Sequence, residues 1–364
     1  MKIALIYDDL HQRGGGEGLF FNLVSIFPKA SIFVPIISND HLKSLVKRKV
    51  FKSTFLSFLA NKGEFLYKIS SFFSLFWFEN LYLGEYDLVI SLSNRFAHCV
   101  ITTPQTKHIS IVTSPIREVW ETPLNNSDST GSLFFKITKN LLRTYNFYSA
   151  RRPDLVVPIS QFVAKKIDKS WRIDKKNVFT LYPPLQPISF TTPNHSRKKF
   201  SNYILLVSRL NKWKYPYIKQ ALEELKNTNL KIKHVGSGPL LKCARQDFKK
   251  YKNIEFLGRV SDKKLGSLYS NAHVFLHPQL EDFGLTPLEA ISFGVPVVAY
   301  RSGGVLEYLN SKVALFYSKT SEIPFIINSI PNNFIDIKEA KKILELHTLE
   351  KFRYNLLQLI KTVK

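Results

Sequence analysis

The chain has 364 residues, enough for two domains that each bury a core, and its 45% hydrophobic and 22% charged residues exclude a disordered or fibrous protein. Two cysteines, Cys99 and Cys243, exclude a disulfide framework and offer no metal-ligand spacing, so a reducing cytoplasmic compartment is expected. The balance of 52 Lys and Arg against 28 Asp and Glu, a net charge of +24, favours polyanionic partners: nucleic acid, anionic lipid or a diphosphate ligand.

The first segment, "MKIALIYDDL", reads as a strand that turns acidic at once, too short and too soon acidic for a signal peptide. Next comes "RGGGEGLF", in which Gly14, Gly15 and Gly16 lead into an apolar helical pattern. Such a turn lets backbone N–H groups approach a phosphate or sugar, because no Cβ intervenes. It is not the dinucleotide G-x-G-x-x-G fingerprint, since no acidic residue ends the next strand near "IFVP". On its own it serves equally well as a flexible turn.

From Lys43 to Phe78, Lys43, Lys47, Arg48, Lys49, Lys52 and Lys68 are interleaved with Phe and Leu. Between Lys68 and Glu79 lie ten uncharged residues, too few to span ~30 Å of hydrocarbon. The stretch is either an apolar core with a solvated basic face or a segment lying on an anionic membrane surface, and the second is preferred.

Short apolar runs alternate with longer helical patterns, which predicts parallel sheets of the α/β class. In the first half the predicted strands are "KIALIY", "SIFVP", "DLVISLS", "HISIVT", "DLVVPIS" and "NVFTLY". A Pro-, Ser- and Thr-rich stretch near residues 183–200 reads as a linker. The rhythm restarts with "YILLVS", "LKIKHVG", "IEFLG", "HVFLHP", "VPVVAY" and "VALFY", and the tail from Ile335 has helical spacing. Two doubly wound domains facing a cleft would place ligands at the carboxyl ends of their strands.

Those ends carry chemistry in the second half. "SRLNKWK" sets Arg209, Lys212 and Lys214 after a strand, a basic group able to neutralise a diphosphate without metal. "HVGSGPL" and "YRSGGVLE" are glycine turns at two further strand ends. "EDFGLTPLEA" has two readings. Thr286, Pro287 and Glu289 spell a capping box, whereas Glu281 and Asp282, before a glycine and a helix start, suit a ligand with hydroxyls and phosphates. No pair of aspartates is separated by a single residue and no His/Cys cluster has ligand spacing, so no metal is expected.

These phrases together resemble the retaining glycosyltransferases of family 4, the group 1 family with the GT-B fold. Glu281 and Glu289 stand in the family's Glu-x7-Glu hallmark, with "SRLNKWK", "VGSGPL", "FLGRVSDKKLGSLYSNAHVFLHP" and "GVPVVAYRSGGVLE" in order around it. In the first half, "GGGEG", "YDLVISLSNRFAHCV", "SPIREVW" and "YPP" look like the mannosyltransferase-like branch.

The resemblance implies an acceptor-binding Rossmann-like domain over residues 1–185, a nucleotide-sugar-binding one over 197–335, and helices over 336–364 that cross back to the first. It implies that Arg209 and Lys214 hold the donor diphosphate, with backbone from Phe283, Gly284 and Leu285 adding N–H groups. Glu289 would bind the ribose and Glu281 the donor sugar. Gly258, Arg259 and Val260 would lie along the base, and Gly15 and Gly16 would approach the donor.

The implied activity is retaining, metal-independent sugar transfer without a cofactor, from GDP-mannose or else a UDP-sugar, to a lipid-linked or other glycan acceptor. The enzyme would sit peripherally on the inner face of the membrane. Thr113 and Ile159 stand where many relatives carry His and Asn, and Thr113 cannot act as a base near neutral pH. An inactive sugar-nucleotide-binding homologue is one alternative. A nucleic-acid-binding protein is the other, favoured by charge alone and lacking any recognisable RNA or DNA module.

Overall fold

The computed structural model describes residues 1–11, 14–121, 133–185, 203–331 and 333–363. They divide into two compact units. One gathers residues up to Pro184 and takes in the helix that starts at Leu349; the other runs from Leu185 to Thr348. The predicted linker near 183–200 lies mostly outside the described residues.

The first unit is built on β1 (Ile3–Tyr7), β2 (Ser31–Phe33), β3 (Val50–Phe51), β4 (Leu88–Ser93), β5 (Lys107–Val112) and β6 (Leu155–Pro158), all parallel in the order β3-β2-β1-β4-β5-β6. β4 is buried along its whole length, as a parallel strand covered on both faces must be. The chain moves outward one way from β1 and the other way from β4, so the gap between those two is the switch point. Asp8, just past β1, spans it. Its carboxylate accepts the backbone N–H groups of Asn94, Arg95, Phe96 and Ala97 at 2.7, 2.9, 2.7 and 2.8 Å, so this acidic strand end is structural.

A second buried polar cluster holds helices to this sheet. Asn146 Oδ1 accepts the indole N–H of Trp120 at 2.8 Å and of Trp171 at 2.7 Å, which fixes the amide orientation. Its Nδ2 must then donate to His98 Nε2 at 3.0 Å, so His98 carries its proton on Nδ1, facing Ser93 Oγ at 2.7 Å. Burial pushes the His98 pKa down to about 3, and the ring stays neutral. Asn146→Ala would leave two indole donors without a partner in the core. We expect a loss of about 1–3 kcal/mol, measured by urea unfolding.

The second unit comprises β7 (Tyr203–Val207), β8 (Lys231–Val235), β9 (Ile254–Gly258), β10 (Val274–His277), β11 (Val297–Tyr300) and β12 (Ala314–Tyr317), again parallel, in the order β12-β11-β10-β7-β8-β9. Its core packs Leu206, Leu222, Leu225, Ile232 and Leu276 between the sheet and helices such as Tyr215–Leu225. The switch point here lies between β7 and β10.

The structure differs from the sequence reading in three places. "NVFTLY" is not a regular strand: it runs beside β6 through the bridge Val156 to Val178 and the N–H groups of Phe179 and Leu181, which donate to the Val156 and Pro158 carbonyls at 3.1 and 2.9 Å, before the prolines at 183 and 184 end the pairing. The two-residue β3 went unread because so short a pair carries no periodicity. The tail does form two helices, Ile337–Glu345 and Leu349–Thr362, but only the latter groups with the first unit. The former is tied into the second unit, where Asn310 Nδ2 donates to Glu339 Oε1 at 3.0 Å and the Asp336 N–H to the Lys312 carbonyl at 3.0 Å.

Candidate functional site

The carboxyl ends of the second unit's strands are braced to one another by backbone bonds. Ser208 and Leu210, after β7, donate N–H groups to Val235 at the end of β8 and Ser237 beyond it, each at 3.0 Å. Gly236 donates to Gly258 at the end of β9 at 2.8 Å, and Gly304, beyond β11, to the Glu281 carbonyl at 3.0 Å. A Cβ on Gly304 would lie 2.2 Å from the Asp282 carbonyl oxygen, so only glycine permits that approach. The loops therefore form a fixed rim around the switch point.

Glu281, four residues past β10, is anchored on that rim. Its Oε1 accepts both the Lys214 ammonium at 2.6 Å and the Gln279 amide Nε2 at 2.9 Å. Burial alone would raise its carboxyl, but the Lys214 charge, His277 and these two bonds outweigh burial and draw it down to about 2. No described residue bonds to Oε2. One oxygen is thus held while the other remains an acceptor for a ligand.

The same Gln279 amide faces His277 Nδ1 at 3.2 Å. Since the carboxylate can only accept, the amide nitrogen must point this way, and Nδ1 must accept its second proton. The His277 proton then sits on Nε2, which is buried and has no hydrogen-bond partner among the described residues. Burial lowers the His277 pKa to about 4, keeping it neutral.

Arg209, two residues past β7 on the other side of the switch point, is exposed and makes no hydrogen bond or ion pair with a described residue. It is a guanidinium fork open to an anion. Lys214, at the N-cap of Tyr215–Leu225, is half-buried and already shares its charge with Glu281.

The capping reading of "EDFGLTPLEA" fails. The helix is Leu285–Ser292, with Gly284 as N-cap at φ +87°, so Thr286 and Pro287 lie inside its first turn. Glu289 instead accepts the Tyr269 hydroxyl at 2.7 Å. Burial raises its pKa to about 7 against that bond, and the nearby charges of Glu281 and Asp262 push the same way. No side chain caps the helix, which leaves first-turn N–H groups directed at the switch-point end.

The remaining candidates divide. Gly258 ends β9, followed by exposed Arg259 and half-buried Val260. Phe283 packs its ring on Tyr308 at 5.0 Å and His347 at 5.4 Å, so its side chain is core and only its backbone faces the loop. Leu285 begins the helix and is half-buried. Gly15 and Gly16 sit in the first turn of Gly15–Ile26, in the other unit. Thr113, just past β5, donates its hydroxyl to the Ser93 carbonyl at 3.3 Å, and Ile159 is buried. Sequence reasoning missed Tyr269, His277 and Gln279; the alternation H-P-Q-L-E from the last residue of β10 was the one signal for the last two.

Residues 190–323 match the family described as glycosyl transferases group 1. The human alpha-1,3/1,6-mannosyltransferase ALG2 is 38% identical over 73 residues, 20% of this chain and 18% of its own length. The gpi3 subunit of the phosphatidylinositol N-acetylglucosaminyltransferase of Schizosaccharomyces pombe is 30% identical over 108 residues, 28% of this chain and 24% of its own length. The chain thus spans about a quarter or less of these two curated relatives. Among solved structures, Anabaena HepE in complex with UDP-glucose superposes with a TM-score of 0.70 at 16% identity, covering 100% of both chains. At that identity the likeness is one of fold, the two-unit GT-B architecture.

Proposed function

We infer, from a chain whose second unit belongs to the glycosyl transferases group 1, that it moves a sugar from a nucleotide-sugar donor to a lipid-linked or other glycan acceptor. The observation that carries this reading is Glu281, ionised, anchored through one oxygen and open at the other, on the opposite side of a switch point from an unengaged arginine. Arg209 takes the diphosphate, with helix N–H groups at Leu285 assisting, so charge on the leaving group is met by fixed donors and needs no metal. Glu281 accepts a donor-sugar hydroxyl, and Glu289 accepts the ribose hydroxyls.

Transfer breaks the bond between the anomeric carbon and the diphosphate oxygen and forms one to the acceptor oxygen on the same face, with retention. With Thr113 in place of a basic side chain, the acceptor proton passes to the departing diphosphate. The likeness to mannosyltransferases favours GDP-mannose as donor, and HepE, crystallised with UDP-glucose, makes a UDP-sugar the next choice. A thermal-shift screen over GDP-, UDP-, ADP- and dTDP-sugars tests it: a true donor at ~100 times its dissociation constant adds ~2.7 kcal/mol. Stabilisation by none of them, or activity abolished by a chelator, would contradict the proposal.

A pH signature belongs to Glu289. With its pKa raised to about 7, the folded protein holds a proton that the unfolded chain releases at the ordinary carboxyl value. Its contribution to stability therefore falls as pH rises from that value through about 7. Ribose hydroxyls need the carboxylate, so affinity for the nucleoside diphosphate should rise about tenfold between about pH 6 and about pH 8. Calorimetric titration of the wild type and Glu289→Gln checks this, and the variant's affinity should lose that added pH dependence. Equal pH profiles would remove Glu289 from the site.

A further inference from the structure

The helix Glu64–Glu79 is turned inside out. Its buried face holds Ser70, Ser71 and Ser74 beside Leu75 and Phe78, while Phe65, Phe72, Phe73 and Phe76 stand 74%, 43%, 50% and 54% exposed. Positions 65, 72, 73 and 76 recur at helical spacing and so share one face. Two of these serines have bonded hydroxyls: Ser71 Oγ accepts from Arg95 Nη1, and Ser74 Oγ donates to the Ser71 carbonyl of its own helix at 2.7 Å. The helix before it, Thr54–Ala60, packs against it and exposes Phe55 and Phe58 at 68% and 58%. Single exposed apolar residues are ordinary, but six phenylalanines on two adjoining helices are a surface that water does not suit.

Charge says what covers it. From Lys43 to Glu79 the chain carries seven basic residues and two carboxylates. Of the two, Glu79 is turned to Arg152 Nη1 at 2.5 Å and to the Tyr145 hydroxyl, and Glu64 is paired with Lys68 at 3.0 Å. Lys62, between the two helices, lies over the Phe58 ring at 4.9 Å. An ammonium seated on an exposed aromatic ring, in a stretch whose two carboxylates are both paired, suits the boundary between acyl chains and anionic headgroups. No helix among the described residues is long and apolar enough to cross a membrane.

We propose that helices Thr54–Ala60 and Glu64–Glu79 form an interfacial anchor on an anionic bilayer, with the outward phenylalanines entering the acyl boundary and the neighbouring lysines meeting the headgroups. The anchor stands independently of sugar transfer, and vesicle binding reads it without turnover. The test is flotation of the full chain with vesicles of phosphatidylcholine alone and of phosphatidylcholine with phosphatidylglycerol.

The wild type should float with the anionic vesicles. Phe72→Ser combined with Phe73→Ser and Phe76→Ser should weaken that binding about tenfold or more with an unchanged circular dichroism spectrum. Phe73→Trp in the otherwise intact chain gives a second reading that needs no disruptive change. The emission it adds to that of the four native tryptophans, read as the difference from the wild type, should shift to the blue on anionic vesicles and be quenched by brominated acyl chains. Absence of binding to anionic vesicles, equal binding by the serine variant, or an unquenched Trp at position 73 would overturn the proposal. So would a dimer of this chain that the serine substitutions abolish while vesicles bind neither form.

Discussion

Glu281→Gln should lower turnover by about two to three orders of magnitude, while affinity for free nucleoside diphosphate changes little. The substitution keeps the shape of the side chain and removes its charge. Oε1 is where Lys214 and Gln279 converge, so the wild-type carboxylate is held in place before any ligand arrives. The atom left for substrate is Oε2, and an acceptor there matters most when charge develops on the sugar in the transition state. The nucleotide touches other groups, which is why binding and turnover should separate.

Because the Glu281 carboxyl is drawn down to about 2, it is ionised through the neutral range, and its titration cannot shape the activity profile there. Its stabilising contribution is present above the ordinary carboxyl pKa and is lost as pH falls towards about 2. Comparing kcat for transfer with calorimetric Kd for the nucleoside diphosphate decides the matter. A rise in Kd with kcat unchanged would assign Glu281 to general binding instead.

Arg209→Ala should weaken sugar-nucleotide binding by roughly 1.5–3 kcal/mol, the range for hydrogen bonds to charged groups, with the melting temperature of the unliganded protein unchanged. Structural arginines are engaged. Arg152, for example, bridges Glu79 and the Cys99 carbonyl, and its loss would take a donor from both. Arg209 is exposed and engaged with no described residue, so its removal leaves no orphaned partner behind. Arg209→Lys should recover only part of the loss, since an ammonium lacks the planar fork that grips two oxygens at once. An Ala variant with wild-type affinity would exclude this arginine from the diphosphate site.

The fold was legible because parallel strands covered on both faces read as continuous apolar runs. "VPVVAY" and "YILLVS" lie where β11 and β7 form. "NVFTLY" reads the same way, but a run followed by two prolines has no room to extend its pairing. In the site, the acidic and basic positions were legible as a motif, whereas their supports were not. Tyr269 reaches Glu289 from twenty positions away, on a helix whose packing against Phe293 no local pattern encodes. The capping box misled because Gly284, in a conformation other residues avoid, starts the helix before Thr286 can cap it. The basic aromatic stretch showed its composition but not its orientation, because serines facing inward reverse the usual rule.

The helix Leu349–Thr362 buries Phe352, Leu356 and Ile360 and belongs to the unit that begins at Met1. On the ribosome, then, the first unit to be started is not the first to be finished. Synthesis runs at roughly 5–20 residues per second, so the nascent N-terminal sheet waits many seconds for its closing helix. Meanwhile the whole second unit emerges and acquires everything it needs. The order of maturation is inverted relative to the order of translation, and a chaperone acting during synthesis would hold the N-terminal half longer than the C-terminal one.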